Sequence, residues 1–412
     1  MTSLLACVLL SFTALGLVCA NAQARDEALL AAATAEQPAV VRTLERLVNI
    51  ETGTGNAEGL AAMADLLQAE LQALGAAVSR HPATDGVVGE IILGRLAGKG
   101  QRRVLLMAHM DTVYPKGTLA RAPFRLEGNR AFGPGIADDK GGIAVILHAL
   151  RLLQARGFQD FAEITVLVNT DEERGSNGSR ALIEATARAH DGVLSFEPTV
   201  ALREALVLAT SGTAAVRATV RGRAAHAGAA PEQGINAMVE AADFMLRTLD
   251  LDDRANAFRF NWTVGTGGRI ANMIPAEVTL EANVRYLDPQ RLDTAMKTLR
   301  ERAATPRLNG AQITVELIVG RPAFVADAGG RRLVDKAVGI YREIGFDLAV
   351  VPSTGGGTDA AYAARAGRPV IESLGLPGFG YHSDQAEYVL VDAIPRRLYL
   401  ATRMIMDVAL GR

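Results

Sequence analysis

Three of the six histidines stand in glycine- or aspartate-rich runs beside apolar segments. They are His109 in His109-Met110-Asp111, His226 in Ala225-His226-Ala227-Gly228, and His382 near the end of residues 375–383. Imidazole nitrogens bind divalent metals and exchange protons near neutral pH, so these three are candidates for metal binding or catalysis. The others are expected to be structural or solvated: His148 hydrogen-bonded inside an apolar helix, His81 and His190 exposed in polar surroundings.

His109 follows the apolar run Val104–Ala108, which is typical of a buried strand. Residues i and i+2 of a strand point the same way, so Asp111 is predicted to contact the imidazole and fix its tautomer. A capped strand end without metal is the alternative.

Acidic residues follow other predicted strands or precede a helix. Asp138 and Asp139 lie in the run Gly133–Gly142, where one carboxylate suffices to cap the helix and the other can bridge two cations. Glu172 and Glu173 follow the strand Ile164–Val168 directly after a third acid, so their mutual repulsion favours a bound cation or a protonated member over a solvated turn. Glu197 follows Val193-Leu194.

Both cysteines, Cys7 and Cys19, lie in the N-terminal segment, so a metal in the remaining chain needs His, Asp and Glu ligands. Such nitrogen and oxygen ligands suit zinc, cobalt or manganese. Two metals need roughly three protein ligands each. This number is met by a set in which Asp138 is counted twice, as a bridge, and Glu172 stays free: His109, Asp138, Glu173, Glu197 and His382.

Hydrophobic periodicity predicts an α/β fold with an inserted domain. A strand, a helix at Ile143–Leu153 and a second strand come first. A β-α-β-β-α-β order, typical of ferredoxin-like domains, then extends from Thr213 to Val319, with helices at Ile235–Leu249 and Leu292–Ala303. The expected boundaries are 25–211 and 324–412 for a two-part catalytic domain and 212–323 for the insertion.

Composition and the N-terminus limit the class of protein. The 412 residues carry a net charge of −2, which argues against a nucleic-acid partner, and 49% are hydrophobic, which excludes a disordered chain. Residues 1–24 contain an uncharged apolar stretch and Ala22-Gln23-Ala24, so they are predicted to be a secretory signal of a secreted or periplasmic protein, without membrane association after its removal. A membrane anchor or a misassigned start codon are the alternatives.

These motifs, in this order, resemble the di-zinc aminoacylase and carboxypeptidase family of metallopeptidases. The resemblance runs from Glu36 to Tyr399, includes the runs Ala122–Arg125, Gly133–Gly142 and Gly375–Asp384, and is strongest to the glutamate carboxypeptidases of the carboxypeptidase G type. These secreted enzymes remove glutamate from folates.

The resemblance implies a di-zinc catalytic domain that carries an inserted dimerisation domain. By the family pattern, His109 and Glu197 hold one zinc, Glu173 and His382 hold the other, and Asp138 bridges them. Glu172 is then the general base, and His226 reaches the active site of the partner subunit in a homodimer. The substrate-binding residues implied are Arg321, which grips the α-carboxylate, Asn272, and Arg285 as a weaker candidate.

The implied reaction is hydrolysis of the amide bond to a C-terminal glutamate in folates and analogues such as methotrexate. A small-molecule substrate with a free carboxylate is therefore expected. Other amide hydrolases with the same centre are the alternative: an N-acyl amino acid deacylase, a dipeptidase or a desuccinylase. Two positions depart from the glutamate carboxypeptidases, since Ala205 stands in place of a lysine and Asn177 in place of an aromatic residue. The first departure bears on the preference for glutamate.

Overall fold

The computed structural model describes residues 25–412, so the predicted signal sequence and both cysteines lie outside the described residues. The α-helices in this part are α1 (Glu27–Val48), α2 (Ala57–Ala73), α3 (Lys140–Ala155), α4 (Arg180–Arg188), α5 (Ala237–Leu246), α6 (Pro289–Ala303), α7 (Ala328–Glu343), α8 (Ala360–Ala364) and α9 (Ile394–Leu410). None of the helices in residues 25–412 has the length and apolar character that crossing a membrane requires.

The strands are β1 (Ala77–Pro82), β2 (Glu90–Ala97), β3 (Arg103–His109), β4 (Arg125–Glu127), β5 (Arg130–Phe132), β6 (Glu163–Asn169), β7 (Gly192–Ser195), β8 (Thr199–Val200), β9 (Ala205–Val207), β10 (Ala209–Thr210), β11 (Gly212–Arg221), β12 (Ala225–His226), β13 (Arg259–Gly267), β14 (Met273–Ile274), β15 (Glu277–Tyr286), β16 (Gln312–Val319), β17 (Phe324–Val325), β18 (Ala349–Val351), β19 (Val370–Ile371), β20 (Pro377–Phe379) and β21 (Tyr388–Leu390). Most of the longer strands belong to two separate sheets.

The larger sheet has six strands in the order β1-β2-β6-β3-β7-β19. Its central strands β6, β3 and β7 are parallel, and the side chains of Val104–Leu106 are fully buried between layers. Helices α1, α3 and α9 contact one another and share one hydrophobic core. Because parallel strands end at the same edge, the residues that follow β3, β6 and β7 meet there. The predicted strands at 104–108 and 164–168 are confirmed.

Helix α3 begins at this edge and is positioned by Asp139. The Asp139 carboxylate accepts a hydrogen bond from the Gly142 backbone N–H at 3.2 Å, so it caps the helix as expected. Gly142 is required because a Cβ there would lie 2.2 Å from the carbonyl oxygen of Phe196. The start of α3 can therefore approach the chain segment after β7.

The second sheet is antiparallel, in the order β13-β15-β11-β16, with α5 and α6 packed against it over their own hydrophobic core. Buried residues alternate along β11 and β15, as expected for a sheet with one covered face. The β-α-β-β-α-β prediction is confirmed. Helix α5 is shorter than predicted because Asn236 caps its start, accepting from the Met238 N–H at 3.0 Å, and a 3₁₀ turn replaces its end at Leu249–Leu251.

A third, small sheet, which the sequence pattern did not predict, has the order β4-β5-β21-β20-β8. Its strands have only two or three residues each, too few for a recognisable period. Strand β5 ends just before the run Gly133–Gly142, and β20 and β21 flank the loop that carries His382. The sheet therefore joins two of the loops that carry candidate ligands.

Candidate active site

His109 ends β3 and is buried, with only 1% of its surface exposed. Its Nδ1 lies 3.0 Å from the backbone oxygen of Asp111 and 3.4 Å from the Asp111 carboxylate. The predicted contact between the two residues is confirmed, although the backbone oxygen makes the shorter one. The Asp111 carboxylate also accepts from the backbone N–H groups of Glu172 and Glu173, at 3.0 and 3.2 Å. Asp111 thus holds two strand ends together.

Asp138 lies between the two candidate metal-binding histidines. One of its carboxylate oxygens is 3.0 Å from His109 Nε2 and the other is 3.2 Å from His382 Nε2. Burial would raise the pKa of Asp138, but the two histidines outweigh it and lower the pKa. A carboxylate that presents one oxygen to each of two ligand groups has the arrangement that a bridge between two metals requires.

Glu173 and Glu197 complete the contacts on either side of Asp138. Glu173 Oε2 is 3.0 Å from His382 Nε2, and Glu197 Oε1 is 3.8 Å from His109 Nε2. Glu197 reaches His109 because β3 and β7 pair in parallel, with Met107 opposite Ser195. Burial raises the pKa of both glutamates, so a cation here would stabilise their charged forms.

Two groups of three residues could each hold a metal, because the ligand atoms within a group all lie within 4.8 Å of one another. One group is His109, Glu172 and Glu197, and the other is Asp138, Glu173 and His382. The structure thus brings together all five residues predicted as ligands, and it adds Glu172 to the first group. The buried Glu173 Oε1 has no hydrogen-bond partner among the described residues. This set of imidazole and carboxylate donors fits zinc, cobalt or manganese.

Glu172 is buried beside Arg321, and its pKa is raised to about 8, chiefly by burial. Arg321 contacts the Glu172 carboxylate and donates to the Glu172 backbone oxygen at 2.6 Å. It also donates to Gly357 O at 2.6 Å and to Ser176 Oγ at 3.1 Å. The guanidinium predicted to grip a substrate is therefore largely engaged with the protein, although it lines the cavity described next.

A cavity of about 930 Å³ extends from the metal-ligand candidates to the second sheet. Its walls include Arg285 of β15, Arg321, Asn177, Ala205 and the segment 353–358. Arg285 is half-buried, and its Nε lies 3.3 Å from Asn283 Oδ1. Both departures from the glutamate carboxypeptidases, Ala205 and Asn177, thus face the cavity.

His226 and Asn272 do not line this cavity. Both are exposed, and they lie side by side because Ala227 donates its N–H to the Asn272 oxygen at 2.8 Å. His226 Nδ1 accepts hydrogen bonds from the Gly228 and Ala229 N–H groups, at 3.2 and 3.0 Å. The ring proton therefore sits on Nε2, which is left to donate to another group.

The remaining histidines have structural roles. His148 is buried and contacts Glu36 at 2.6 Å and Thr43 at 2.8 Å, as expected for a hydrogen-bonded helix histidine. The expectation that His190 is exposed was wrong: it is buried and contacts Thr186 O at 2.7 Å and Thr165 Oγ1 at 2.9 Å. His81 is half-buried next to Ser79.

Two acidic residues near the centre escaped the sequence analysis. Asp359 accepts hydrogen bonds from Asn169 and Ser176 and lies 3.5 Å from Arg321. Glu387 accepts hydrogen bonds from three backbone N–H groups of the loop that carries Asp138. In the sequence, Glu387 follows His382 by five residues, whereas Asp359 stands near none of the candidate residues.

Comparisons with known proteins agree with this geometry. The model of peptidase family M20/M25/M40 matches residues 105–407. Carboxypeptidase G2 of Pseudomonas sp. (strain RS-16) is 60% identical over 393 residues, which cover 95% of each chain. Succinyl-diaminopimelate desuccinylase of Maricaulis maris is 30% identical over 359 residues, 83% of this chain and 89% of that one.

A solved structure supports the fold independently. The M20 family metallo-carboxypeptidase of Sulfolobus solfataricus superposes with a TM-score of 0.73 at 14% identity, over 90% of this chain and 99% of that one. A match of this length at such low identity shows that the fold is shared. The chain therefore belongs to peptidase family M20/M25/M40, whose members include metallo-carboxypeptidases.

Proposed function

We propose that this protein is a zinc-dependent carboxypeptidase that hydrolyses the amide bond to a C-terminal glutamate in folates and folate analogues such as methotrexate. The observation that carries the proposal is the position of Asp138, which presents one carboxylate oxygen to His109 and the other to His382. The choice of substrate rests on the resemblance to glutamate carboxypeptidases and on the 60% identity with carboxypeptidase G2.

In this proposal two zinc ions are bound per subunit. His109 and Glu197 hold one, Glu173 and His382 hold the other, and Asp138 bridges them. When bound, the zinc pair supplies Lewis-acid chemistry, lowering the pKa of water and polarising a carbonyl group. Cobalt or manganese would be bound by the same side chains.

Glu172 is the proposed general base, which takes a proton from water and returns it to the leaving amine. Burial raises its pKa to about 8, and zinc bound nearby would lower that pKa, so that the carboxylate is free to accept a proton at neutral pH. A base of this strength suits proton transfer in both directions. The Arg321 guanidinium fixes the orientation of the carboxylate.

Substrate binding is assigned to cationic and polar groups of the cavity and of the inserted domain. Arg285 and Arg321 line the cavity and would attract the carboxylates of the substrate. Asn272 lies beside His226 and would join the site from the partner subunit. Ala205 stands in the cavity wall where the glutamate carboxypeptidases have a lysine, so glutamate recognition would depend more heavily on the two arginines.

We also propose that residues 212–323 form an inserted dimerisation domain, flanked by catalytic parts at 25–211 and 324–412, and that the protein is a homodimer. Helix α5 exposes Met238, Val239 and Leu246, and the edge strand β13 exposes Val264, with Leu246 69% and Val264 52% exposed. Apolar side chains along a helix and a free sheet edge are typical of a protein interface. In this proposed homodimer, His226 of the partner subunit would donate its Nε2–H in the active site.

The proposed location is outside the cytoplasm, secreted or periplasmic, with residues 1–24 as the signal sequence and no membrane association after its removal. This rests on the apolar stretch and on Ala22-Gln23-Ala24 alone. N-terminal sequencing of the exported protein would test it, because an N-terminus before residue 20 would contradict cleavage near Ala24.

The experiment that tests the function is the release of glutamate from folate and methotrexate by the purified protein, with zinc and with a chelator. A panel of acetyl-, succinyl- and benzoyl-amino acids is measured in parallel. Chelator-sensitive release from folate is the expected result. Turnover of the other acyl-amino acids alone would favour the second candidate, a deacylase, dipeptidase or desuccinylase, which the 30% identity with a desuccinylase supports.

A further inference from the structure

Glu387 is a buried glutamate between the His382 loop and strand β21. Only 4% of its surface is exposed. Its backbone oxygen accepts a hydrogen bond from the Gly133 N–H at 3.1 Å, which continues the pairing of β5 with β21. A charged side chain buried at such a place needs compensating partners.

Three backbone N–H groups of the Asp138 loop donate hydrogen bonds to its carboxylate, which also faces the Tyr114 hydroxyl. Oε2 accepts from Gly135 at 2.8 Å, and Oε1 accepts from Ala137 at 2.7 Å and from Asp138 at 3.0 Å. The loop folds around the carboxylate in the manner of a backbone anion site. Three backbone donors therefore converge on one carboxylate.

The third donor belongs to the residue that contacts both histidines. The N–H of Asp138 is held by Glu387, while its side chain contacts His109 at 3.0 Å and His382 at 3.2 Å. Glu387 also stands five residues after His382 in the same loop. It therefore ties together the chain segments that carry two of the candidate ligands.

We propose that Glu387 is a positioning residue for the metal centre, which sets the backbone of Asp138 so that its carboxylate can bridge two metals. The proposal rests on the di-zinc centre proposed above. Partners that hold a ligand in place typically change metal affinity by about 10- to 100-fold when they are replaced.

The test compares Glu387→Gln with Glu240→Gln. Glutamine turns one acceptor oxygen into a donor, so at least one of the three N–H groups loses its acceptor. Glu240 is a matched control in the inserted domain, because it is fully buried and its two oxygens accept from the N–H groups of Arg307 and Leu308, at 3.0 and 2.7 Å. Zinc affinity is measured by competition with a colorimetric chelator, and turnover is measured as free zinc is raised.

The expected result is zinc binding weakened about 10- to 100-fold in Glu387→Gln and unchanged in Glu240→Gln. Turnover of Glu387→Gln should recover as free zinc is raised. Wild-type affinity in Glu387→Gln, or an equal loss in both variants, would overturn the proposal. Failure of the wild-type protein to bind two zinc ions would instead contradict the proposed function, so the two failures are distinguishable.

A measurement on the wild-type protein covers the case in which Glu387→Gln does not fold. Amide hydrogen exchange of residues 135–138 is followed with and without zinc. Slow exchange in the zinc-free protein supports the proposal, because the Glu387 carboxylate would already protect these N–H groups. Exchange that becomes slow only after zinc is added would overturn it.

Discussion

Arg321 and Glu172 form a buried pair in which the guanidinium contacts the carboxylate and donates to the backbone oxygen of the same glutamate at 2.6 Å. Their side chains are 5% and 8% exposed, so the pair is largely shielded from solvent. Arg321 follows β16, the last strand of the second sheet, whereas Glu172 follows β6 of the larger sheet. The pair therefore couples the orientation of the candidate general base to the position of the second sheet.

Glu172→Gln should keep the two proposed zinc ions and lose nearly all turnover. The amide has the shape of the carboxylate but cannot accept a proton, and general acid–base groups contribute about 10²- to 10⁴-fold to rate. Metal content and kcat of the purified variant are the two measurements. The ligand atoms of Glu172, His109 and Glu197 lie within 4.8 Å of one another, so loss of metal together with activity would make Glu172 a ligand and contradict its assignment as base.

Arg321→Ala should lower kcat as well as raise KM. Its removal leaves the Glu172 carboxylate unpaired near Asp359, so both orientation and charge of the base change. Breaking a buried ion pair costs about 3–5 kcal/mol, so the melting temperature should fall too. An effect on KM alone, with an unchanged melting temperature, would show that Arg321 serves only the substrate.

Arg285→Ala provides the contrast, since Arg285 faces the cavity without an acidic partner among the described residues. It should raise KM for carboxylate substrates and leave metal content and melting temperature unchanged. Steady-state kinetics on folate is the measurement. A KM equal to that of the wild type would remove Arg285 from the substrate site.

Three of the five proposed ligands, His109, Glu173 and Glu197, could be predicted from the sequence because each follows a strand that is buried and apolar. Val104–Ala108 and Ile164–Val168 are recognisable as strands, and parallel pairing then places His109 and Glu173 at one edge. The short strands of the third sheet have no period to detect, so the approach of the His382 loop to Asp138 followed only from the resemblance.

Tertiary contacts account for the residues that sequence reasoning placed wrongly or missed. His190 stands among polar residues, but the turn after α4 buries it against Thr165. Glu387 and Asp359 contact residues that are distant in the chain, and no local sequence motif indicates such contacts. The contact of Arg321 with Glu172 depends in the same way on how the second sheet lies against the larger one.

His148→Gln should destabilise the protein most above neutral pH. Burial lowers the pKa of His148, although Glu36 acts in the opposite direction. The folded state then binds fewer protons than the unfolded state, so the stability from this residue is complete above about pH 6.5 and declines as the pH falls through the folded pKa. Two lost hydrogen bonds correspond to about 1–3 kcal/mol at pH 8.

The measurement is the free energy of unfolding in denaturant at pH 8 and pH 5, for His148→Gln and for His81→Gln as a half-buried control. The difference between wild type and His148→Gln should shrink at pH 5. A difference that is constant with pH would mean that His148 keeps an ordinary pKa in the folded protein.

Mixed dimers test whether His226 acts across the proposed subunit interface. His226→Ala and Glu172→Gln homodimers should each be nearly inactive. In a mixed dimer, one site combines the intact Glu172 of one subunit with the intact His226 of the other, whereas the second site carries both defects. Random exchange at equal amounts makes about half of the dimers mixed, so activity should recover to about a quarter of the wild-type value per subunit.

The geometry of His226 makes this recovery specific to a shared site. Its Nδ1 accepts from Gly228 and Ala229, which leaves Nε2–H as the donor to an oxyanion. If His226 acted within its own subunit, the mixed dimer would contain one His226→Ala site and one Glu172→Gln site, both inactive. Absence of recovery, with subunit exchange verified by a tagged chain in native mass spectrometry, would therefore place the catalytic contact elsewhere.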